Sequence, residues 1–336
     1  MKVIEIFAFG EPSEVVRCAE RPDPPAPGPK EVLVRMLAMS INPADLLIME
    51  GRYGHQPELP AVRGAEGVGE IVALGEGVKG LEIGQKVVPF AVECWQELML
   101  LRASALIPLP DAVDLRQAAM LKANPATAVV MLSDIVPLKT GDWVIQNAAN
   151  SAVGRFVRLI AKRDGIRTVN LVRRPGLEAE LKAEGGDVVL VNDGGDDLED
   201  QVLEATGGVR PLLGLDAVGG AATRVLATTL AEGGVIANYG LLSGQPCQID
   251  AQQLVFRNVT LRGFWLSPWF AAAGPDRIKA VYQRLVALLS EGALEVPVEA
   301  TYPLEEAKAA IAHAAKGGRG GKILFTTEAG RNAGLG

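Results

Sequence analysis

The segment DWVIQNAANSAVG, residues 142–154, decides the fold class. Its first part, DWVIQNA, is an apolar run typical of a buried strand. Four apolar residues then recur at helical spacing, namely Val153, Phe156, Val157 and Ile160. A strand that passes straight into an amphipathic helix is the first unit of a dinucleotide-binding domain, whose turn holds the pyrophosphate. Only the last glycine of GxGxxG, Gly154, is present, so the setting of the turn carries this prediction.

Strands and helices alternate beyond this segment. We predict further strands at 167–172, 187–191, 212–218, 234–240 and 258–264. Such alternation favours a parallel, doubly wound sheet. Residues 1–120 instead contain short strands between glycines and prolines, and a helix near 276–291 and a strand at KILFTT end the chain. We therefore predict an α/β protein with a Rossmann domain over 121–264 and a second domain made of 1–120 and 265–336.

The composition excludes several function classes. A formal net charge of -7 argues against a nucleic-acid partner, which favours a basic face. No apolar run approaches the roughly 18 residues that span a bilayer. The first residues, MKVIEIFAFG, are typical of a strand and not of a signal peptide. We expect a cytoplasmic enzyme without a membrane or nucleic-acid partner.

Cysteine and histidine are too scarce for an obvious metal site. The three cysteines, Cys18, Cys94 and Cys247, are far apart, and the two histidines are His55 and His313. Structural zinc takes about four nitrogen or sulfur ligands and catalytic zinc about three protein ligands. We therefore expect the chemistry to proceed without a metal.

The end of the second strand indicates which nucleotide is bound. An NAD enzyme places an acidic residue there, about 20 residues after the glycine turn, to hold the ribose 2′-hydroxyl. This chain has Arg173-Arg174-Pro175. Two guanidinium groups fit a 2′-phosphate, so the sequence favours NADPH. In the turn that precedes the first helix, the small side chain of Ala152 leaves room for a phosphate group, and Asn150 and Ser151 can donate hydrogen bonds to it. Either Asn150 or Ser151 could instead simply cap an ordinary helix.

Several segments carry a family resemblance: INPADLLIMEGRYG (41–54), NPATA (124–128), QNAANSAVG (146–154), LVRRP (171–175), NYG (238–240) and RGFWLSPW (262–269). In this order they are similar to the trans-2-enoyl-thioester reductases. That family is the mitochondrial-type branch of the medium-chain dehydrogenase/reductase superfamily. The resemblance implies a GroES-like catalytic domain, made from both ends of the chain, around a Rossmann domain. Zinc alcohol dehydrogenases of this superfamily would have Cys at Asn42 and a His-Glu pair at Ala65-Glu66.

The resemblance also implies a reaction. A hydride from NADPH goes to the β-carbon of an α,β-unsaturated thioester, and the α-carbon is then protonated. Tyr53, in the GRYG segment, corresponds to the tyrosine that donates to the thioester oxygen, and Trp265 is the second catalytic candidate. A tyrosine phenol is protonated at neutral pH and can donate a hydrogen bond or a proton. His55 is two residues away and could tune this group, although a loop histidine is more often solvated.

The cofactor contacts that the resemblance and the motifs together imply are Asn42, Asn124, Thr127, Asn150, Ser151, Ala152, Val153, Gly154, Arg173, Arg174, Tyr239, Gly240, Leu241, Leu242, Phe264, Trp265, Leu266 and Lys322. Phe264 and Trp265 could instead be core residues, and Lys322 a solvated charge.

The sequence leaves the substrate, the exact activity and the oligomeric state undecided. The loop between Pro89 and Trp95 is shorter than in the family and contains Glu93 and Cys94, so acyl length and carrier, CoA or acyl carrier protein, are undecided. A quinone oxidoreductase or 2-alkenal reductase would share the fold, and a non-catalytic NADPH-binding protein is a third possibility. The resemblance implies a homodimer that pairs through the edge strand near 258–264.

Overall fold

The computed structural model describes residues 1–192 and 197–336, and the chain divides into two compact units. The first unit contains residues 1–123 and 282–336, and the second contains residues 124–281. The second boundary therefore lies at 281 where the sequence suggested 264. The segment after 264 stays with the second unit because the Trp269 indole nitrogen donates a 2.9 Å hydrogen bond to Asp134, which also pairs with Arg277.

The strands are β1 (Lys2–Ile6), β2 (Val16–Glu20), β3 (Glu31–Ser40), β4 (Ala61–Val62), β5 (Gly67–Leu74), β6 (Lys86–Pro89), β7 (Leu98–Arg102), β8 (Leu106–Pro108), β9 (Trp143–Gln146), β10 (Arg167–Val172), β11 (Val188–Val191), β12 (Leu213–Asp216), β13 (Val235–Asn238), β14 (Thr260–Gly263), β15 (Val298–Pro303) and β16 (Lys322–Thr326). The helices are α1 (Pro43–Met49), α2 (Leu115–Ala118), α3 (Asn124–Asp134), α4 (Ala152–Asp164), α5 (Glu178–Ala183), α6 (Leu198–Thr206), α7 (Ala221–Thr229), α8 (Ala251–Val255), α9 (Leu266–Ala272), α10 (Gly274–Ser290), α11 (Ala307–Ala315) and α12 (Glu328–Asn332).

The second unit contains a parallel sheet in the order β11-β10-β9-β12-β13-β14. This is the doubly wound arrangement, in which the order reverses between β9 and β12 and ligands bind beyond the carboxyl ends of the strands. The α/β class predicted from the alternation of strands and helices is confirmed. The core of this unit is built from the apolar strand residues and the buried helix faces, among them Ile145, Val169, Leu226 and Ile236.

The first unit is rich in β-structure. Its larger sheet has the order β15-β16-β3-β5-β6-β8, with β7 paired to β3, and a smaller sheet has the order β2-β1-β4. Strand β16 comes from the last part of the sequence and pairs antiparallel with β3, so this unit contains residues from both ends of the sequence. Trp95 and Phe325 meet edge to face in its core, with ring centroids 5.3 Å apart.

Helix α4 follows its predicted pattern closely. Phe156, Val157 and Ile160 are buried, and the helix ends at Gly165, whose φ of 70° suits a glycine. Arg158 is also buried, because its guanidinium pairs with Glu184 and donates to the carbonyl of Ala149. The burial of this charged residue is not evident from the helical pattern.

None of the helices in the described part of the chain combines the length and apolar character that crossing a bilayer requires.

Candidate active site

The turn between β9 and α4 joins the carboxyl end of a parallel strand to the start of a helix. Ser151 caps α4, and its hydroxyl accepts a 3.1 Å hydrogen bond from the amide of Gly154. A Cβ on Gly154 would lie 2.5 Å from the carbonyl oxygen of Ala149, so only glycine allows this approach. Backbone amides at the start of a helix favour anions. The turn therefore fits a dinucleotide pyrophosphate, with Asn150 exposed beside it.

A buried carboxylate fixes the carboxyl ends of the neighbouring strands. Asp216, the last residue of β12, accepts 2.6 Å hydrogen bonds from Asn147 and Thr223 and a 3.2 Å bond from Asn238. It also accepts from the backbone amides of residues 218 and 219. Asn147 follows β9 and Asn238 ends β13, so one side chain ties together three strand ends at the point where the strand order reverses.

The segment after β13 lies close to the first turn. Burial raises the pKa of the Tyr239 phenol, and the Ser151 side chain opposes this shift. A Cβ on Gly240 would lie 2.5 Å from the carbonyl oxygen of Ala217, which again requires glycine. Leu241 and Leu242 are exposed by 51% and 61%. A close backbone approach followed by exposed leucines fits a surface against which a cofactor can lie.

Arg173 and Arg174 directly follow β10, the strand beside β9. Both side chains are exposed, and among the described residues neither has an ion pair. Two free guanidinium groups at the carboxyl edge of the sheet are available for a phosphate group.

The remaining predicted contacts of this unit occupy the starts of helices. Asn124 and Thr127 lie half-buried in the first turn of α3. Phe264 and Leu266 are half-buried and Trp265, which precedes α9, is 39% exposed. The amide of Phe264 donates a 2.7 Å hydrogen bond to the carbonyl of Asn238, so this segment continues from the same sheet edge. The residues around 150–154, 173–174, 239–242 and 264–266 thus all follow carboxyl ends of parallel strands.

Tyr53 lies in the first unit, in the loop after α1. Its side chain is half-buried and packs against the core of that unit, and its carbonyl accepts a 3.0 Å hydrogen bond from Gln56. His55 is exposed, as expected for a solvated loop histidine.

Asn42 and Lys322 belong to a buried polar network in the first unit. The Asn42 amide donates to Glu66 at 2.9 Å and accepts a 2.6 Å hydrogen bond from the Lys322 ammonium. Glu66 also accepts from the hydroxyl of Ser40 and the backbone amide of Ala123. Burial lowers the pKa of Lys322 to about 8.

Two further ionisable groups are buried beside this network. Asp45 accepts hydrogen bonds from the amides of Asn42 and Ala65, and burial raises its pKa to about 6. The Lys122 ammonium donates to the carbonyls of Ala65, at 2.5 Å, and Ala91, and burial lowers its pKa. The first unit therefore contains two buried carboxylates and two buried ammonium groups close together.

Cys94 is fully buried, and burial raises the pKa of its thiol to about 12, so this sulfur is inert as a nucleophile. In the described ranges, no group of three or more histidine, cysteine, aspartate or glutamate side chains is arranged to hold a metal. Chemistry without a metal stays a prediction.

Sequence reasoning missed Asp216, Glu66 and Lys122. Asp216 had a detectable signal, since it is a carboxylate at the carboxyl end of a predicted strand next to the reversal of strand order. Glu66 and Lys122 had none, because each is satisfied by groups distant in the sequence.

Two stretches of the chain match known domain families, and most of the chain matches one enzyme family. Residues 28–111 match the alcohol dehydrogenase GroES-like domain, and residues 185–324 match the zinc-binding dehydrogenase domain. The chain is 37% identical over 310 residues to the human mitochondrial enoyl-[acyl-carrier-protein] reductase. The matched region covers 90% of this chain and 82% of the human protein.

Solved structures of similar proteins include enoyl thioester reductases and quinone oxidoreductases. The complex of Etr1p from Candida tropicalis with NADP and crotonyl-CoA is 27% identical, with a TM-score of 0.87 over 97% of this chain and 99% of Etr1p. A quinone oxidoreductase of Pseudomonas syringae pv. tomato is 26% identical, with a TM-score of 0.84 over 97% of this chain and 100% of that protein.

Proposed function

The chain belongs to the mitochondrial-type enoyl-[acyl-carrier-protein] reductase family, and from this membership we propose that it reduces the α,β double bond of trans-2-enoyl thioesters with NADPH. The observation that carries the proposal is the 37% identity to such a reductase over 90% of the chain. Tyr53 and the RGFWLSPW segment are among the six segments that carry the family resemblance.

The second unit would hold the nucleotide. The α4 turn at 150–154 would bind the pyrophosphate, and Arg173 with Arg174 would bind the 2′-phosphate. Asn124, Thr127, residues 239–242 and residues 264–266 would line the nicotinamide. Support comes from the glycines at 154 and 240, where no side chain fits, and from the unpaired state of both arginines among the described residues. Asn42 would act through Lys322, which donates two of its three protons to Ile41 and Asn42 and keeps one for the cofactor.

The chemistry divides between cofactor and protein. When bound, NADPH supplies a hydride to the β-carbon of the enoyl thioester. Tyr53 donates a hydrogen bond to the thioester oxygen, where negative charge develops, and this electrostatic stabilisation is the main catalytic task. Trp265 would orient the reacting groups. No buried metal cation is needed in this scheme, since the phenol carries out the stabilisation.

The decisive experiment uses NADPH carrying deuterium at the transferable position, together with crotonyl-CoA. We expect oxidation of NADPH and one deuteron at the β-carbon of the butyryl product, read by NMR. Acyl chains of increasing length, on CoA and on acyl carrier protein, then define the carrier and the preferred length. Absence of turnover with every enoyl thioester would overturn the proposal.

A quinone reductase is the second candidate, since a quinone oxidoreductase shares the fold at a TM-score of 0.84. The same assay with 1,4-benzoquinone and with a 2-alkenal separates the classes. A larger kcat/KM for benzoquinone than for crotonyl-CoA would favour this candidate. Binding of NADPH without turnover on any enone would favour a non-catalytic role.

Assembly and location are part of the proposal. Strand β14 is the last strand of its sheet, and its residues are largely exposed. Val255 and Phe256, close before it in the sequence, are 69% and 78% exposed. A second copy pairing along β14 would cover this edge, and light scattering of wild type and Phe256→Glu tests for such a homodimer.

A cytoplasmic location stays a prediction, which a fluorescent fusion tests.

A further inference from the structure

Arg63 lies in the first unit, between β4 and β5, and among the described residues its guanidinium has no anionic partner. Its Nε atom is buried without a hydrogen-bond partner, and within residues 1–192 and 197–336 the side chain has neither an ion pair nor a hydrogen bond. Arg63 as a whole is half-buried, but its buried Nε donor is costly without an acceptor, and buried polar groups are nearly always hydrogen-bonded in proteins. The residue is therefore set up for a partner that does not belong to the described chain.

The backbone holds Arg63 firmly in place. Its carbonyl accepts a 2.9 Å hydrogen bond from the amide of Trp95, and the carbonyl of Gly64 accepts a 3.0 Å bond from the amide of Cys94. The short loop before Trp95 and the start of β5 are thus joined at this point. A side chain on such a fixed backbone can bind a ligand with a defined orientation.

A second cation flanks the same segment. Lys122 donates to the carbonyls of Ala65 and Ala91, which uses two of its three protons, and the third has no acceptor in the described part of the chain. Its ammonium lies 5.7 Å from the centre of the Phe90 ring. Burial lowers the pKa of Lys122, the negative charges of Glu66 and Asp45 oppose this shift, and the positive charge of Arg63 adds to it. Lys122 thus brings a second cation with a free donor to the segment that contains Arg63.

The neighbouring carboxyl groups, Glu66 and Asp45, already accept hydrogen bonds from other groups. Glu66 accepts from Ser40, Asn42 and the amide of Ala123. Asp45 accepts from the amides of Asn42 and Ala65. Both carboxyl groups raise the pKa of Lys122 through their charge, but among the described residues neither forms an ion pair with Arg63.

We propose that Arg63, with Lys122 beside it, forms a subsite for an anionic oxygen group of the thioester substrate. The matching chemistry is a carboxylate at the far end of the acyl chain or a phosphate of CoA, since a guanidinium binds either through two parallel hydrogen bonds. The inference rests on the proposed function, because it takes the anion to be part of an enoyl thioester.

Three thioesters distinguish the two sources. Glutaconyl-CoA carries the crotonyl chain with an added terminal carboxylate, crotonyl-CoA carries only the CoA phosphates, and S-crotonyl-N-acetylcysteamine carries neither. The proteins to compare are wild type, Arg63→Gln, Arg63→Lys and the control Arg35→Gln, which removes an exposed arginine of β3. All measurements use NADPH at saturation.

We expect Arg63→Gln to lose at least about tenfold in kcat/KM on a substrate that carries the recognised anion. A loss confined to glutaconyl-CoA identifies the acyl carboxylate, and a loss on both CoA esters but not on the cysteamine thioester identifies phosphate. Arg63→Lys should restore part of the activity, and Arg35→Gln should match wild type. Equal kcat/KM for Arg63→Gln and Arg35→Gln on all three substrates overturns the subsite.

A binding measurement keeps the subsite testable if no thioester is reduced, a result that would defeat the proposed function alone. With NADPH bound, glutarate or inorganic pyrophosphate should raise the Tm of wild type and Arg35→Gln, since a ligand stabilises the form that it binds. The rise should vanish in Arg63→Gln. An equal rise in Arg63→Gln contradicts the proposal.

Discussion

The ammonium of Lys322 donates a 2.6 Å hydrogen bond to the side-chain oxygen of Asn42, which lies 280 residues earlier in the chain. The same ammonium donates a 3.0 Å bond to the carbonyl of Ile41. Strand β16 is thereby joined to the start of α1, and α1 leads into the loop of Tyr53. Both residues are cofactor candidates from the family resemblance, yet they also contact each other inside one unit.

Removing the Lys322 charge should destabilise the first unit. In Lys322→Met, Glu66 and Asp45 lose a buried positive neighbour, and we expect the free energy of unfolding to fall by about 3 kcal/mol. Urea unfolding measures this, with the exposed Lys79→Met as control. An unchanged free energy together with a raised KM for NADPH would show that this lysine serves the cofactor alone.

Tyr53→Phe should lower kcat with crotonyl-CoA by a factor on the order of 100 or more, because the phenol proton that stabilises the thioester oxygen is lost. The Kd for NADPH should stay the same, since the ring remains. Tyr302→Phe is the matched control, as this tyrosine of the same unit bonds His313 at 3.0 Å. Full turnover by Tyr53→Phe would exclude the role.

Arg173→Gln should weaken NADPH binding by about tenfold and leave NADH binding unchanged, because only NADPH carries a 2′-phosphate. Arg174→Gln should have a smaller effect of the same kind. The control is Arg262→Gln, an exposed arginine of β14. Fluorescence titration with both nucleotides gives the Kd values, and tighter binding of NADH than NADPH by wild type would contradict the cofactor assignment.

Features of the fold that depend on local periodicity could be predicted from the sequence, whereas those that depend on bonds between distant residues could not. Helix α4 and the parallel strands were predictable, because apolar periodicity records which face is buried. The residues at 150–154 and 173–174 were predictable too, since the carboxyl ends of parallel strands share one edge. The Glu66 network was not, because the bonds that Glu66 accepts and that Lys322 donates join residues between 24 and 281 positions apart. The burial of Arg158 was likewise not predictable, because it depends on Glu184 and on the carbonyl of Ala149.

Asp216→Ala should reduce both stability and NADPH affinity. The change leaves the Asn147 amide, the Thr223 hydroxyl and two backbone amides without their acceptor. Buried donors left unpaired cost about 1–3 kcal/mol each, less what relaxation recovers, so we expect a loss of at least about 3 kcal/mol. Thermal unfolding and NADPH titration measure the two effects. A loss of stability with unaltered NADPH affinity would show that Asp216 does not position the nucleotide site.

Asp45 should give the stability of the first unit a defined pH dependence. Its pKa is about 6 in the folded chain against an ordinary value of 3.8, because burial disfavours the charged form. The folded state therefore holds this proton more tightly than the unfolded state, so the contribution to stability is full below about pH 4 and is lost as the pH rises through 6.

Asp45→Asn removes this titration. The free energy of unfolding of wild type relative to Asp45→Asn should fall by up to about 3 kcal/mol between pH 4 and 6 and then stay level. Urea unfolding at half-unit steps of pH measures the difference, with the exposed Asp111→Asn as control. A difference that is constant over this range would mean that Asp45 stays ionised in the folded protein.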